Sequence, residues 1–196
     1  MHPVLDVSVV IPFGDDEDRI GSAVRRIAAH LREHELGFEI IAVDEDSGDN
    51  SHAILALLRP EVPELRIANA LGRGRGLAVG AHRARGRVLW MIAPHAASAA
   101  LAPFGRAYRR VQRHEVDVVA VDGRFTVCHR VRVLSLLDNL RGNPVSFQRR
   151  LARRAGARGL TVDTQVLGGL APPPRFSAFP GLQRPIARLF GVLGTR

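Results

Sequence analysis

Four short runs of β-branched and aliphatic residues constrain this chain more than any other feature. They are Asp6 to Phe13, Phe38 to Val43, Leu65 to Asn69 and Arg87 to Ile92. Most are apolar at successive rather than alternate positions, the mark of strands covered on both faces. Helical spacing lies between them. After the first run, Ile20, Ala23, Val24, Ile27, Ala28 and Leu31 recur at steps of three and four, with Asp15 to Asp18 ahead of them and Gly37 beyond. After the second, Asp44 to Asp49 forms a polar turn into a short helix that stops near Arg59-Pro60. After the third, the glycine-arginine loop Gly72 to Gly76 leads a helix to about Arg85. Strands alternating with helices predict an α/β fold, a doubly wound, mainly parallel sheet flanked by helices.

The second half is less regular. Leu101, Phe104, Tyr108 and Val111 outline a helix, followed by strands over Val116 to Val121 and Phe125 to His129. Helices are expected over Val131 to Asn139 and over Pro144 to Arg158, the latter with proline in its first turn, and a closing strand over Leu160 to Leu167. Ala171-Pro172-Pro173-Pro174 has linker composition, so residues 1–170 read as one domain and 171–196 as a linker with a C-terminal amphipathic helix. Leu182, Ile186, Leu189, Phe190 and Leu193 share a face of that helix, beside Arg184 and Arg188. Such a face packs on the body or on a second copy of the chain, or else lies on an anionic membrane surface.

Composition removes several function classes. A 46% hydrophobic content is too high for general disorder. Cys128 is the sole cysteine, which excludes an internal disulfide and a cysteine zinc cluster; inside an apolar strand it reads as a small buried hydrophobe. No stretch reaches the roughly 20 apolar residues of a membrane span, and acids interrupt the N-terminal region where a secretory signal would be apolar. The expected location is cytoplasmic, including the periphery of the inner membrane face. All 28 basic residues are arginine against 19 acids, a formal charge of +9. Arginine suits phosphate through paired hydrogen bonds, but aromatic residues are only 5% and no stacking motif or recognition helix stands out, so nucleic acid is not an expected partner. No metal site is expected from the spacing of the histidines other than His95.

In open α/β sheets, ligands bind beyond the carboxyl ends of the strands. Asp15, Asp44, the arginine loop and His95 all fall there. Each also has a plainer reading. Asp44 can be a solvated turn residue or helix cap, the Asp15 to Asp18 run a helix-dipole cluster, and Arg73 and Arg75 surface charge. The ordered set is more specific than its parts. VSVVIPFGDDEDRI, then EIIAVDEDSGDNS, then GRGRGLAVGAHRARGRVLWMIAPHA resembles the nucleotide-binding half of family 2 glycosyltransferases with the GT-A fold. The later FQRRLARRAGARGLTVDTQV is similar to the segment after the acceptor region in polyprenyl-phosphate sugar transferases such as dolichyl-phosphate mannose synthase.

That resemblance implies a UDP- or GDP-sugar as donor and, from the later segment, a lipid phosphate as acceptor. It implies that Pro12, with Asp15 or Asp16 after it, edges the nucleobase, and that Asp44 is the first acid of the Val-Asp-Asp-Gly-Ser turn. Glu45 takes the second acidic place, Asp46 replaces the glycine, and Ser47 and Asp49 match. Gly72-Arg73-Gly74 matches a Gly-Lys-Gly phosphate loop, and Arg75 adds a second cation beside it. The family's Asp-x-Asp, which holds Mn²⁺ or Mg²⁺ on the diphosphate, corresponds to Ala93-Pro94-His95. A single imidazole is a poor site for either ion, so His95 is at most one weak metal ligand and no catalytic residue is assigned. Phe147-Gln148 matches the family's Phe-Gln, with Arg150 at the following glutamate position, and Thr164-Gln165-Val166 stands in place of Glu-Val-Pro. Asp122, Asp138 and Asp163 are the nearby candidates for a base. Two functions follow: sugar transfer from a nucleotide donor, or a catalytically degenerate homologue that acts as a binding or assembly module.

Overall fold

The computed structural model describes residues 5–121 and 123–165. The linker and amphipathic segment expected over 171–196, and Asp122, lie outside the described residues. Within them the chain forms a seven-stranded sheet in the order β3-β2-β1-β4-β6-β5-β7. The strands are β1 (Val7–Phe13), β2 (Phe38–Asp44), β3 (Leu65–Asn69), β4 (Val88–Ile92), β5 (Val118–Val121), β6 (Phe125–His129) and β7 (Val162–Gln165). The helices are α1 (Ile20–Glu33), α2 (Ser51–Leu58), α3 (Gly76–Arg83), α4 (Ala97–Gln112), α5 (Arg130–Leu137) and α6 (Pro144–Ala157).

β1 to β4 are mutually parallel, and β5 pairs parallel with β7, whereas β6 runs antiparallel to both β4 and β5. The cause is local: only residues 122–124 separate β5 from β6, too few for the crossover a parallel pair requires. Because side chains alternate along β1, Val7, Val9, Ile11 and Phe13 enter one layer, roofed by α1, α2 and α4. Val10 enters the other, beneath α3, α5 and α6. Trp90 stacks on Phe104 at 3.9 Å in the first layer, and Phe104 on Tyr108 at 5.6 Å. α1 buries the six apolar positions that its spacing predicts.

At the amino-terminal end of the sheet, Glu39 is 2% exposed. Its carboxylate accepts from Ser8 Oγ, the Arg85 amide, Arg85 Nε and Nη2, and Arg66 Nη1, all at 2.7–3.1 Å. This network ties β1, β2, β3 and the segment between α3 and β4 together. At the opposite end, Phe13 lies beside Asp44 and Asp44 beside Asn69, so three strands finish level and their turns share one rim. No helix among the described residues is long and apolar enough to cross a membrane.

Candidate functional site

The rim is built from two polar turns bonded side by side. The turn after β1 donates the backbone amides of Asp15, Asp16 and Glu17 to Ser47 Oγ, Ser51 Oγ and Asp49 Oδ2. The turn after β2 answers with the amides of Gly48 and Asn50, which donate to Asp15 Oδ1 and Glu17 Oε2. The acids therefore do not cap α1; its first turn contains none. Asp49 is the hub. Desolvation works to raise its pKa, but hydrogen bonds from Ser47, Ser51 and the Ser51 and Glu17 amides outweigh it and hold the carboxyl far below its ordinary range. Asp44 is half-buried and accepts from the Ser47 amide at 2.8 Å, fixing its own turn.

The glycine-arginine loop completes one wall. Arg73 Nη2 donates to Asp15 Oδ2 at 2.8 Å. The Gly48 amide and then Arg73 keep the Asp15 carboxyl below its usual value. Gly74 donates its amide to Glu45 Oε2 at 3.0 Å, and Gly76, the first residue of α3, donates to Glu45 Oε1. A carboxylate thus already sits on the amides that a phosphate loop presents. Gly74 also touches the second half of the chain, since its carbonyl accepts from the Gly142 amide at 2.9 Å. A Cβ at Gly74 would stand 2.9 Å from that same amide nitrogen, so only glycine lets the two segments approach.

Between these parts opens a cleft of about 440 Å³. Pro12 and Phe13 line it from β1, Gly14 and Asp16 from the turn after it, Glu45 from the turn after β2, Arg73 and Gly74 from the loop, and Ala93, Pro94 and His95 from the segment after β4. Gly142, Asn143 and Pro144 form the far lip. Asn143 caps α6 by accepting from the Ser146 amide at 2.9 Å, with Pro144 in the first turn. Asp16 and His95 face each other electrostatically. Burial raises the Asp16 pKa and burial lowers that of His95, so each is shifted toward its neutral form.

Of the residues singled out from sequence, Pro12, Arg73, Gly74 and His95 line the cleft, and Asp15 is joined to it through Arg73. Asp44 and Asp46 stand in the neighbouring turn and Gly72 at the base of the loop, none of them on the cleft lining. Arg75 faces a separate groove with His82, Arg83 and Arg141. The lip residues Gly142 and Asn143 were not anticipated; their signal was an Asn-Pro pair ahead of a helix, which reads as a cap and gives no hint of a cleft. Phe147 is core, and Gln148 Nε2 donates to the Phe125 carbonyl and Thr126 Oγ1, pinning β6. Asp138 pairs with His82 and Asp163 with Arg110, both away from the cleft. Cys128 is fully buried, and desolvation pushes its thiol well up.

The cleft donors suit a hard divalent cation badly. Both Glu45 oxygens already accept amides, and Asp16 Oδ2 accepts the Gly14 amide at 3.2 Å. Ala93 and Pro94 offer no ligand atom in their side chains, which leaves His95 with one carboxylate neighbour. Among the described residues, no set of three His, Cys, Asp or Glu ligand atoms converges in this cleft.

The profile of glycosyl transferase family 2 matches residues 8–157, which takes in β1 to β6 apart from Val7, both polar turns and the cleft lip. The chain belongs to glycosyl transferase family 2. Similar solved structures share its fold. A mannosyltransferase from Pyrobaculum calidifontis, solved with GDP-Man and Mn²⁺, is 14% identical with a TM-score of 0.69, over 89% of this chain and 59% of its own. TarS from S. aureus, in complex with UDP-GlcNAc, is 13% identical with a TM-score of 0.59, over 85% and 57%. Glucosyl-3-phosphoglycerate synthase from Mycobacterium tuberculosis, solved with Mn²⁺, UDP and glucosyl-3-phosphoglycerate, is 14% identical with a TM-score of 0.56, over 83% and 70%. This family 2 chain therefore spans somewhat over half the length of the first two. A search of curated proteins finds no match.

Proposed function

We propose that the chain binds a nucleoside-diphosphate sugar, UDP- or GDP-linked, in the cleft at the ends of β1 and β4 and transfers the sugar to an acceptor. The supporting observation is the convergence of Pro12, Asp16, Arg73, Gly74 and His95 on one opening at the carboxyl ends of parallel strands. In the transfer, an acceptor oxygen bonds to the anomeric carbon as the bond from that carbon to the diphosphate breaks, and the diphosphate departs with the electron pair. Arg73 is placed to offset that negative charge, and His95, which burial favours as the neutral imidazole, has one ring N–H to donate. No step is assigned to a bound metal. Among the described residues, Asp16 and Glu45 are the carboxylates that line the cleft, and both already accept backbone amides, so an acceptor that arrives ionised, such as a lipid phosphate, suits it because it needs no base.

Thermal unfolding with UDP, GDP and their sugars, in Mn²⁺ and in chelator, tests this reading. Stabilisation by one nucleotide series that persists in chelator is expected, and Arg73→Ala should weaken it about tenfold. Absence of stabilisation by every nucleotide would remove the proposal.

A second reading has its own support. The Glu45 carboxylate fills the amide cradle, and the β4 end carries no carboxylate at residues 93–95. That arrangement fits a homologue that keeps the fold as a binding or assembly module, through the C-terminal segment or a second copy. It predicts no sugar transfer by the native chain and none after Ala93→Asp with His95→Asp. Sugar-nucleotide hydrolysis gained by that double variant in Mn²⁺ would instead identify a recently decayed enzyme.

A further inference from the structure

The last turn of α1 and His34, the residue that follows it, carry a cluster that the cleft does not use. Residues 30, 33 and 34 are spaced i, i+3 and i+4, so the helix places their side chains on one face. One ligand atom from each of His30, Glu33 and His34 lies within 4.8 Å of the other two. The two imidazole centroids are 4.4 Å apart and tilted by 45°. His30 Nε2 is buried without a hydrogen-bond partner, its ring set edge-on to Phe104. His34 Nδ1 lies 2.8 Å from the His30 carbonyl oxygen. A carbonyl only accepts, so Nδ1 carries the proton and Nε2 of this exposed ring keeps its lone pair. The signal was present in the sequence, since His-x-x-Glu-His falls at the end of the first expected helix, but the histidine spacing alone did not single it out.

We propose that His30, Glu33 and His34 hold one divalent transition-metal ion at the carboxyl end of α1. Two imidazoles and a carboxylate match the ligand preference of Zn²⁺, with water completing the sphere, and suit Mg²⁺ poorly. The site lies at the negative end of the helix dipole, which favours a cation. At 1.5 Å per residue, the 14 residues of α1 set it about 20 Å from the acidic turn, apart from the cleft and its ligands. The three donors converge only when α1 is formed, so the ion binds the folded state and stabilises it.

Isothermal titration of untagged, chelator-treated protein with ZnCl₂, paired with thermal unfolding, tests the site. The expected result is one equivalent of Zn²⁺ bound in the micromolar range, with a higher unfolding midpoint that chelator reverses. His34→Ala and Glu33→Gln alter exposed side chains; the first should weaken binding at least about tenfold and the second less. His114→Ala, which removes the other close histidine pair at 5.2 Å from His129, should leave Zn²⁺ affinity unchanged. Failure to bind Zn²⁺ at micromolar concentration, or equal affinity in His34→Ala, would overturn the proposal. Nucleotide-induced stabilisation should be the same in His34→Ala and the native chain, so this outcome and that of the cleft are read separately.

Discussion

Asp46 and Asp15 both adopt the left-handed backbone region, at φ of 59° and 60°. Where the resembling motif has glycine, this chain has Asp46, and the reason is visible in the turn: the φ is positive, glycine reaches it without a Cβ penalty, and aspartate is among the few other residues that tolerate it. Asp46 is exposed and its neighbours make the turn's hydrogen bonds. Asp46→Gly should therefore raise stability by about 1 kcal/mol, read from a urea midpoint; a fall would show that its side chain does what the backbone does not. Residue by residue, the sequence located the acids correctly at the rim but could not say what they touch. Asp49 looked like one matching letter among several, yet it binds both turns. Glu45 looked like a second ligand acid, yet it occupies the loop amides. Hydrogen-bond partners separated by about thirty residues leave no local trace in a sequence.

At the scale of elements, α3 illustrates how closely a short helix is seated. Gly80 faces β1 and β2, and a Cβ there would come within 2.3 Å of Val10 Cγ1 and 3.0 Å of Val43 Cγ2. Gly80→Ala improves helix propensity but overfills this contact, and the second effect wins, with an expected loss of 1–3 kcal/mol, about the usual cost of overpacking. Chemical denaturation measures it; a gain in stability would mean that α3 shifts freely on the sheet. Helix and strand positions in the first half were legible because Val7 to Phe13, Ile20 to Leu31 and Val88 to Ile92 each bury what their spacing predicts. The direction of β6 was not, because direction follows from the three-residue connection after Val121 rather than from any pattern within the strand.

For the whole molecule, charge and pH act together. Asp49, Glu39, Glu64, Asp117, Asp15 and Asp163 all have folded pKa values below their ordinary ones; at Glu39, burial works upward, and hydrogen bonds from Ser8, Arg66 and Arg85 overcome it. Depressed carboxylates add stability that is complete above their ordinary values of 3.8 and 4.5 and is lost as pH falls through the folded values. Asp16, with its raised pKa, works in the opposite sense. Burial also lowers the pKa of His30, His95 and His129, which subtracts stability as pH falls below their ordinary value of 6.5. The urea midpoint should therefore decline gently from there and then drop steeply toward about pH 3 as the carboxylates protonate. A flat profile over that lower interval would contradict the hydrogen-bond assignments. The same arrangement of charge bears on how the cleft fills. Arg73 is already partnered by Asp15 in an exposed pair of small worth, so an anion entering the cleft as proposed would trade places with a carboxylate instead of meeting a vacant cation. Asp15 also accepts from the Gly48 amide, so its release would reach the turn opposite.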